Sequence, residues 1–262
     1  MAASPGRRPI SPTSSRAIWL DHRQGAQKCA PLLFWLILKD RSSFFGRRKG
    51  KPLRAHQDEL VRDLLPTLRV SGADVAAGAA FAPDLTGERW LEIGFGGGEH
   101  LARMAELHPN DRFIGCEVFL NGVAKLLAAV EGRQLTNIRL FDEDAASLLA
   151  DLPGACIDRI CILYPDPWPK FRQRKRRFIS PENIEKLARV LRPGGELRFA
   201  TDIDDYAGWA LSLMIKSGLF DWRGAAPDDW SQPWPDWAST RYEIKARAAG
   251  RATSYLTFIR RS

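Results

Sequence analysis

The 262-residue chain is predicted to fold as an α/β protein built on a doubly wound parallel sheet. Three observations predict it. From residue 89 onward, short apolar runs alternate with stretches of helical periodicity. A glycine cluster, Gly94-Phe-Gly-Gly-Gly98, follows the first apolar run directly. The next four apolar runs end in acidic or proline-rich residues rather than in an ordinary turn. Strand–helix alternation places parallel strands side by side with helices on both faces, and ligands in such sheets bind outside the carboxyl ends of the strands.

The elements follow in order. Residues 90–93 form a first apolar strand and 94–98 a glycine turn. Residues 99–107 read as a helix with Leu101, Met104 and Ala105 inward, and 112–116 as the second strand. The 121–130 helix, capped by Asn121, carries Val123, Leu126, Leu127 and Val130 at helical spacing. Strands three and four are 137–141 and 159–163, with a helix from Ala145 between them. Ser180-Pro181 is a cap followed by proline in the first turn, and Pro193-Gly194-Gly195 stops that helix. Strand five is 196–201, and a helix over 206–216 ends at Gly218. Late strands at 219–222 and 255–259 bring the sheet to seven. Residues 71–88, rich in Ala, Gly and Pro, read as loop, and 240–243 as a loop feeding the last strands.

Composition narrows the function. At 45% hydrophobic and 27% charged residues, the chain is an ordinary globular protein able to bury a core without metals or disulfides. Its four cysteines form no C-x-x-C pair and its four histidines are scattered, so no zinc ribbon, redox dithiol or other metal site is expected. The net charge of +8 sits in residues 1–60, which hold 12 Lys/Arg against 4 Asp/Glu. A basic arm before a neutral body suits nucleic acid or an anionic surface. The apolar run 31–38 is too short for a membrane helix and lacks a cleavage site. A cytoplasmic protein without a membrane partner is expected, with a monomer slightly favoured. Residues 1–40 read as a disordered extension or a start-site artefact.

The residues after the strands carry the chemistry. Gly94 and Gly96 allow close backbone approach of a ligand. The dinucleotide pattern G-x-G-x-x-G is broken because its third glycine is Glu99. Glu92, two residues before the first glycine, fits poorly beside a pyrophosphate and suits a cationic amino-acid head, as in S-adenosylmethionine. Two roles are open for Glu117 after strand two: accepting both ribose hydroxyls of an adenosine, in a nicotinamide or a methionine cofactor alike, or standing solvated before the next helix. After strand three, one of Asp142, Glu143 and Asp144 can accept the adenine amine, with Asp144 nearest the helix start, or the three form a surface acidic turn. After strand four, three prolines fix the backbone around Asp166 and Trp168. A carboxylate held there accepts the N–H edge of a base, and Trp168 or Phe171 offers a stacking face. Six cations in eight residues follow, at 170–177, with nothing nearby in sequence to relieve their repulsion, which favours phosphate binding. Two roles are open for Asp202 after strand five: capping the next helix or facing the substrate.

Taken together these residues resemble the bacterial tRNA (guanine-N7-)-methyltransferase family. The matching motifs are Glu-Ile-Gly-Phe-Gly at 92–96, Pro-Asp-Pro-Trp at 165–168 with Lys170, Lys-Arg-Arg at 175–177, Ala-Thr-Asp at 200–202 and Thr-Arg-Tyr-Glu at 240–243. The basic arm from residue 44 also resembles the family's N-terminal segment, and the match covers residues 41–262. The resemblance implies a Rossmann-like class I methyltransferase that uses S-adenosylmethionine to methylate N7 of the guanine at tRNA position 46, in the variable loop. It implies a basic arm and N-terminal helix over 41–88 and a methyltransferase domain over 89–262. By the same resemblance, Glu92, Glu117, Asp144 and Asp166 meet the cofactor, and Asp166 is also the catalytic residue. Lys170, Asp202, Thr240, Arg241, Tyr242 and Glu243 meet the substrate, and Arg172, Gln173, Arg174, Lys175, Arg176 and Arg177 meet RNA. Two other classes fit parts of the pattern. A nicotinamide-dependent oxidoreductase shares the ribose acid but not Glu99, and a non-catalytic RNA-binding module needs neither the glycine loop nor Pro-Asp-Pro-Trp.

Overall fold

The computed structural model describes residues 45–77, 80 and 85–262. Residues 1–40, read above as an extension, lie outside the described residues. The described residues begin with three short helices, α1 (Ala55–Asp63), α2 (Leu65–Leu68) and α3 (Gly72–Ala76). It then alternates: β1 (Arg89–Ile93), α4 (Glu99–Leu107), β2 (Arg112–Cys116), α5 (Leu120–Arg133), β3 (Ile138–Phe141), α6 (Ala145–Asp151) and β4 (Ile157–Leu163). A 3-10 segment (Phe171–Arg176) leads to α7 (Pro181–Val190), β5 (Leu191–Thr201) and α8 (Asp204–Lys216). The chain ends with β6 (Phe220–Trp222), α9 (Asp228–Ser231), α10 (Arg241–Ala248) and β7 (Ser254–Arg260).

The seven strands lie in the order β3-β2-β1-β4-β5-β7-β6. Strands β1 to β5 are parallel, whereas β7 slots between β5 and β6 antiparallel to both. The sheet is therefore mixed rather than wholly parallel. Winding proceeds outward from β1 to β3, then restarts at β4 on the other side. This reversal opens a crevice between the carboxyl ends of β1 and β4.

Both faces of the sheet are covered, and side chains alternate between them. Leu91, Ile93, Ile114, Ile160, Ile162, Leu197 and Phe199 pack with α3, α6, α7 and α8. Trp90, Phe113, Cys161, Leu163 and Ala200 pack with α1, α2, α4 and α5. A fully buried side chain such as Leu126 or Phe113 contributes about 1.5–3 kcal/mol, so several of them hold each helical layer.

Four local readings change. Asn121 does not cap α5; Phe119 occupies that position, and Asn121 lies within the first turn. Its side chain instead ties down the basic arm, accepting from Gly50 N–H at 2.7 Å and donating to the Lys51 carbonyl at 2.7 Å. Residues 72–76 are helical because Ser71 and Asp74 cap each other's backbone N–H groups. Residues 241–248 are also helical, with Thr240 accepting from the Glu243 N–H. Finally, α7 stops at Val190, and Pro193-Gly194-Gly195 lies inside β5, where the register with β4 shifts.

Candidate active site

A cavity of about 530 Å³ opens at the crevice. That size suits a small-molecule ligand. The ends of four adjacent strands supply its floor. Gly94 and Gly96 follow β1, both in the left-handed region that favours glycine, at φ +73° and +58°. A Cβ added at Gly94 would meet nothing within 4 Å, so backbone is open to the cavity there. Glu117 follows β2 and braces the turn, accepting from Gly96 N–H and Phe119 N–H at 2.8 Å each. Asp144 follows β3 and caps α6, accepting from Ala146 N–H at 3.0 Å. Asp166 and Trp168 follow β4. Tyr164 and Trp168 hold φ values of +50° and +41°, an uncommon strain for aromatic residues that places them at the cavity wall.

Electrostatics single out two of these acids. Burial pushes the Glu117 carboxyl above its ordinary value, although backbone N–H groups of Phe119, Gly96 and Val118 oppose it; the Asp166 charge adds to the rise. Loss of water inside the cleft raises Asp166 as well. Among the described residues no hydrogen bond reaches the Asp166 carboxylate. A carboxylate kept unpartnered at the end of a rigid turn is available to a ligand. The lining is also cationic: Arg47 from the arm, Lys125 from α5, Lys175 and Arg176 from the 3-10 segment, Arg177 after it, and Arg241 from α10. The site therefore has an acidic floor suited to hydroxyl, amine and N–H donors, and basic lining residues suited to phosphate.

Comparison with known proteins agrees. A family model described as "Putative methyltransferase" matches residues 87–256. The tRNA (guanine-N(7)-)-methyltransferase of Agrobacterium fabrum is 51% identical over 222 residues, spanning 84% of this chain and 95% of its own. The enzyme of the same name from Rhodopseudomonas palustris is 46% identical, covering 86% of each chain. The chain belongs to the tRNA (guanine-N(7)-)-methyltransferase family. A solved 16S rRNA methyltransferase, KamB, superposes with a TM-score of 0.50 at 16% identity, over 72% of this chain and 92% of its own. That likeness concerns the methyltransferase fold alone.

Not every residue read from the sequence reaches the methyltransferase cavity. Glu92 alternates onto the α4 face of the sheet; its buried carboxylate pairs with His100 Nδ1 at 2.7 Å, behind the glycine turn rather than in the cavity. Asp202 neither caps α8, where Ile203 holds that position, nor lines the cavity; it accepts from Arg251 Nε at 2.7 Å. Lys170, Arg172 and Gln173 stand outside the cavity lining, the first two exposed.

Of the last motif only Arg241 and Tyr242 line the cavity. Arg241 Nε donates to Glu99 Oε1 at 2.6 Å, across Gly97, and the Tyr242 ring lies against Gly96 and stacks with Tyr164 at 6.3 Å. Thr240 caps α10, and Glu243 is fully buried. Burial alone would raise the Glu243 carboxyl, but hydrogen bonds from Tyr255, Trp237 and Ser239 outweigh it and hold the group below its ordinary value.

The basic run is less free than its spacing implies. Arg177 is buried: its Nε donates to the Pro167 carbonyl at 2.8 Å, it pairs with Asp205, and Tyr206 and Trp209 rings cover it. Arg174 also pairs with Asp205, at 2.6 Å. Asp205 lies 28 residues beyond Arg177, so the repulsion that looked unrelieved locally is relieved by the fold. Phe45 was absent from the sequence-derived site yet lines the cavity. Its only signal was its place at the head of the basic arm.

Proposed function

We propose that the chain transfers the methyl group of S-adenosylmethionine to N7 of the guanine at tRNA position 46, in the variable loop. The observation that carries this reading is the unpartnered Asp166 carboxylate, held by the Pro-Asp-Pro-Trp turn in a cavity with an acidic floor and cationic lining residues. The residues present fit the cofactor. Glu117 retains acceptor capacity beyond its bonds to backbone N–H groups. Gly94 leaves the turn open, and Asp144 adds an acceptor on the β3 side. Glu117 would hold ribose hydroxyls and Asp144 the adenine amine; Glu92 and His100 support the turn from behind. When bound, the cofactor supplies a methyl group already activated on a sulfonium.

Guanine N7 carries a lone pair and no proton, so no strong base is required. The protein's task is alignment, which alone accounts for large accelerations. Asp166 is the catalytic residue in this reading: its carboxylate accepts from guanine N1–H and the 2-amino group and turns N7 inward. Trp168 and Tyr242 flank the base, and Lys175 and Arg176 face phosphates. Residues 41–88 act as arm and N-terminal helix, residues 89–262 as the catalytic domain, and the site of action is the cytoplasm. The test incubates the protein with unmodified tRNA and methyl-labelled cofactor, digests the RNA and identifies the labelled nucleoside by chromatography and mass. Labelled 7-methylguanosine is expected. Cofactor binding without label in tRNA would refute the substrate.

A further inference from the structure

The N-terminal arm contributes Phe45 as well as Arg47 to the cavity. Arg176 Cζ lies 5.1 Å from the Phe45 ring centroid and 5.0 Å from that of Trp168. All three residues line the cavity. Phe45 is 51% exposed, so it is not held by the core; its main contact of this kind is the guanidinium. The arm is fixed behind it, with Leu120 N–H donating to the Arg48 carbonyl at 2.9 Å and Gly50 tied to Asn121.

Arg176 differs from its neighbours. Arg174 and Arg177 are spent on Asp205. Among the described residues Arg176 has no acid partner and no hydrogen bond, only the two rings. A guanidinium held on aromatic faces keeps its N–H donors for an anion such as a phosphate diester. Two rings also restrict a side chain that is otherwise long and flexible, and lower the ordering cost when the ligand arrives. Trp168 lies two residues from Asp166, so the phosphate taken by Arg176 belongs to a nucleotide close to the reacting base.

We propose that Phe45 is a positioning residue for methyl transfer: with Trp168 it presets Arg176 to take an RNA phosphate beside the target guanine. This rests on the tRNA-methylating reading above. It assigns the arm a place in the site itself, beyond adding charge along the RNA.

The test is a double-mutant cycle on the full chain with Phe45→Ala, Arg176→Ala and the pair. tRNA binding is titrated against salt, and turnover is measured separately. Phe45→Ala is expected to lower kcat/KM for tRNA about tenfold and to leave cofactor affinity unchanged. Although it removes no charge, it should flatten the salt dependence of tRNA binding as Arg176→Ala does, by one phosphate contact, about 0.7–0.9 in slope. The double variant should be no worse than Arg176→Ala alone. Phe45→Trp should restore binding, and Phe45→Leu, which keeps apolar bulk without a ring, should not. Multiplying losses, an unaltered salt slope in Phe45→Ala, or rescue by Phe45→Leu would overturn the proposal. If wild-type protein yields no 7-methylguanosine, the functional reading fails on its own, and the tRNA-binding arm of the cycle still decides the role of Phe45.

Discussion

Two glycines in α5 should respond to the same substitution with opposite signs. A Cβ at Gly122 would lie 2.0 Å from the Gly96 carbonyl oxygen and 3.0 Å from its carbon, whereas at Gly132 it would meet nothing within 4 Å. Replacing glycine by alanine inside a helix gains about 0.5–1 kcal/mol. At Gly132 nothing opposes that gain, so Gly132→Ala should raise Tm by about 1–4 °C in a body of this size. At Gly122 the obstacle is backbone. Gly96 must retreat by more than an ångström, which breaks its 2.8 Å bond to the Glu117 carboxylate. Overpacking of about 1–3 kcal/mol and a lost charge-assisted bond of about 1.5–3 kcal/mol exceed the helix gain. The net loss should be about 1.5–5.5 kcal/mol, lowering Tm by about 3–22 °C. Because Glu117 and Gly96 shape the cavity floor, cofactor affinity should fall at least about tenfold, since 1.4 kcal/mol is one decade. Thermal unfolding by circular dichroism and cofactor titration calorimetry read both quantities. A Gly122→Ala protein as stable as Gly132→Ala, with undiminished cofactor affinity, would refute the contact between α5 and the glycine turn.

Asp166→Asn should lower turnover about 100-fold, the scale of a misplaced reactant, while cofactor affinity by calorimetry stays nearly constant; the converse pattern would remove Asp166 from the role of base anchor. Because Asp166 and Glu117 are both raised, the folded chain keeps their protons to higher pH than the unfolded chain. Their contribution to stability therefore declines as pH rises from ordinary carboxylate values, about 4, through the raised ones, and the ionised forms that bind ligands appear only above that window. The acid limb of kcat/KM should lie above about 4 and move in Glu117→Gln; a limb at or below 4 contradicts this. Glu99→Gln and Arg241→Gln should each weaken cofactor and tRNA binding, and the double variant should be no worse than either, as measured by calorimetry and filter binding; additive losses would separate the two residues. Arg177→Ala should lower Tm with an unchanged tRNA salt slope, whereas Arg172→Ala with Lys175→Ala should lower the slope by about 1.4–1.8 and leave Tm unchanged. A reversed pattern would exchange the structural and RNA-facing cations.

Strands and the central helices were legible because each buries a periodic apolar face. The Glu99–Leu107 helix and the Arg112–Cys116 strand match their sequence reading residue for residue. The helices that escaped lack such a face. In α10 only Glu243 and Ala246 are buried, and its formation depends on the Thr240 cap and on donors from Tyr255 and Trp237 that hold Glu243. In α3 a reciprocal cap between Ser71 and Asp74 outweighs an Ala- and Gly-rich composition that reads as loop. The antiparallel placement of β7 escaped for another reason: two strands on either side of a tryptophan-rich connection carry no signal of direction.

Within the site, the positions directly after β1 to β4 were legible, since topology places those residues at one edge whatever their partners. Glu117, Asp144, Asp166 and the glycines needed only that. Pairing over long sequence distances was not legible, and it redistributes roles. Glu92 is acidic in front of the glycine turn, yet strand alternation turns it to His100. Glu99 occupies the position of a missing third glycine, and its partner is Arg241, 142 residues away. In the basic run, one carboxylate on α8 engages Arg174 and Arg177 together, which buries one cation and tethers another. One negative charge against that run still leaves the patch strongly positive. The fold thus withdraws selected donors from a basic surface instead of neutralising it. The cations it leaves, Lys170, Arg172, Lys175 and Arg176, are the ones free to meet phosphate, and of these, among the described residues, only Arg176 is gripped by aromatic rings at the wall of the cavity.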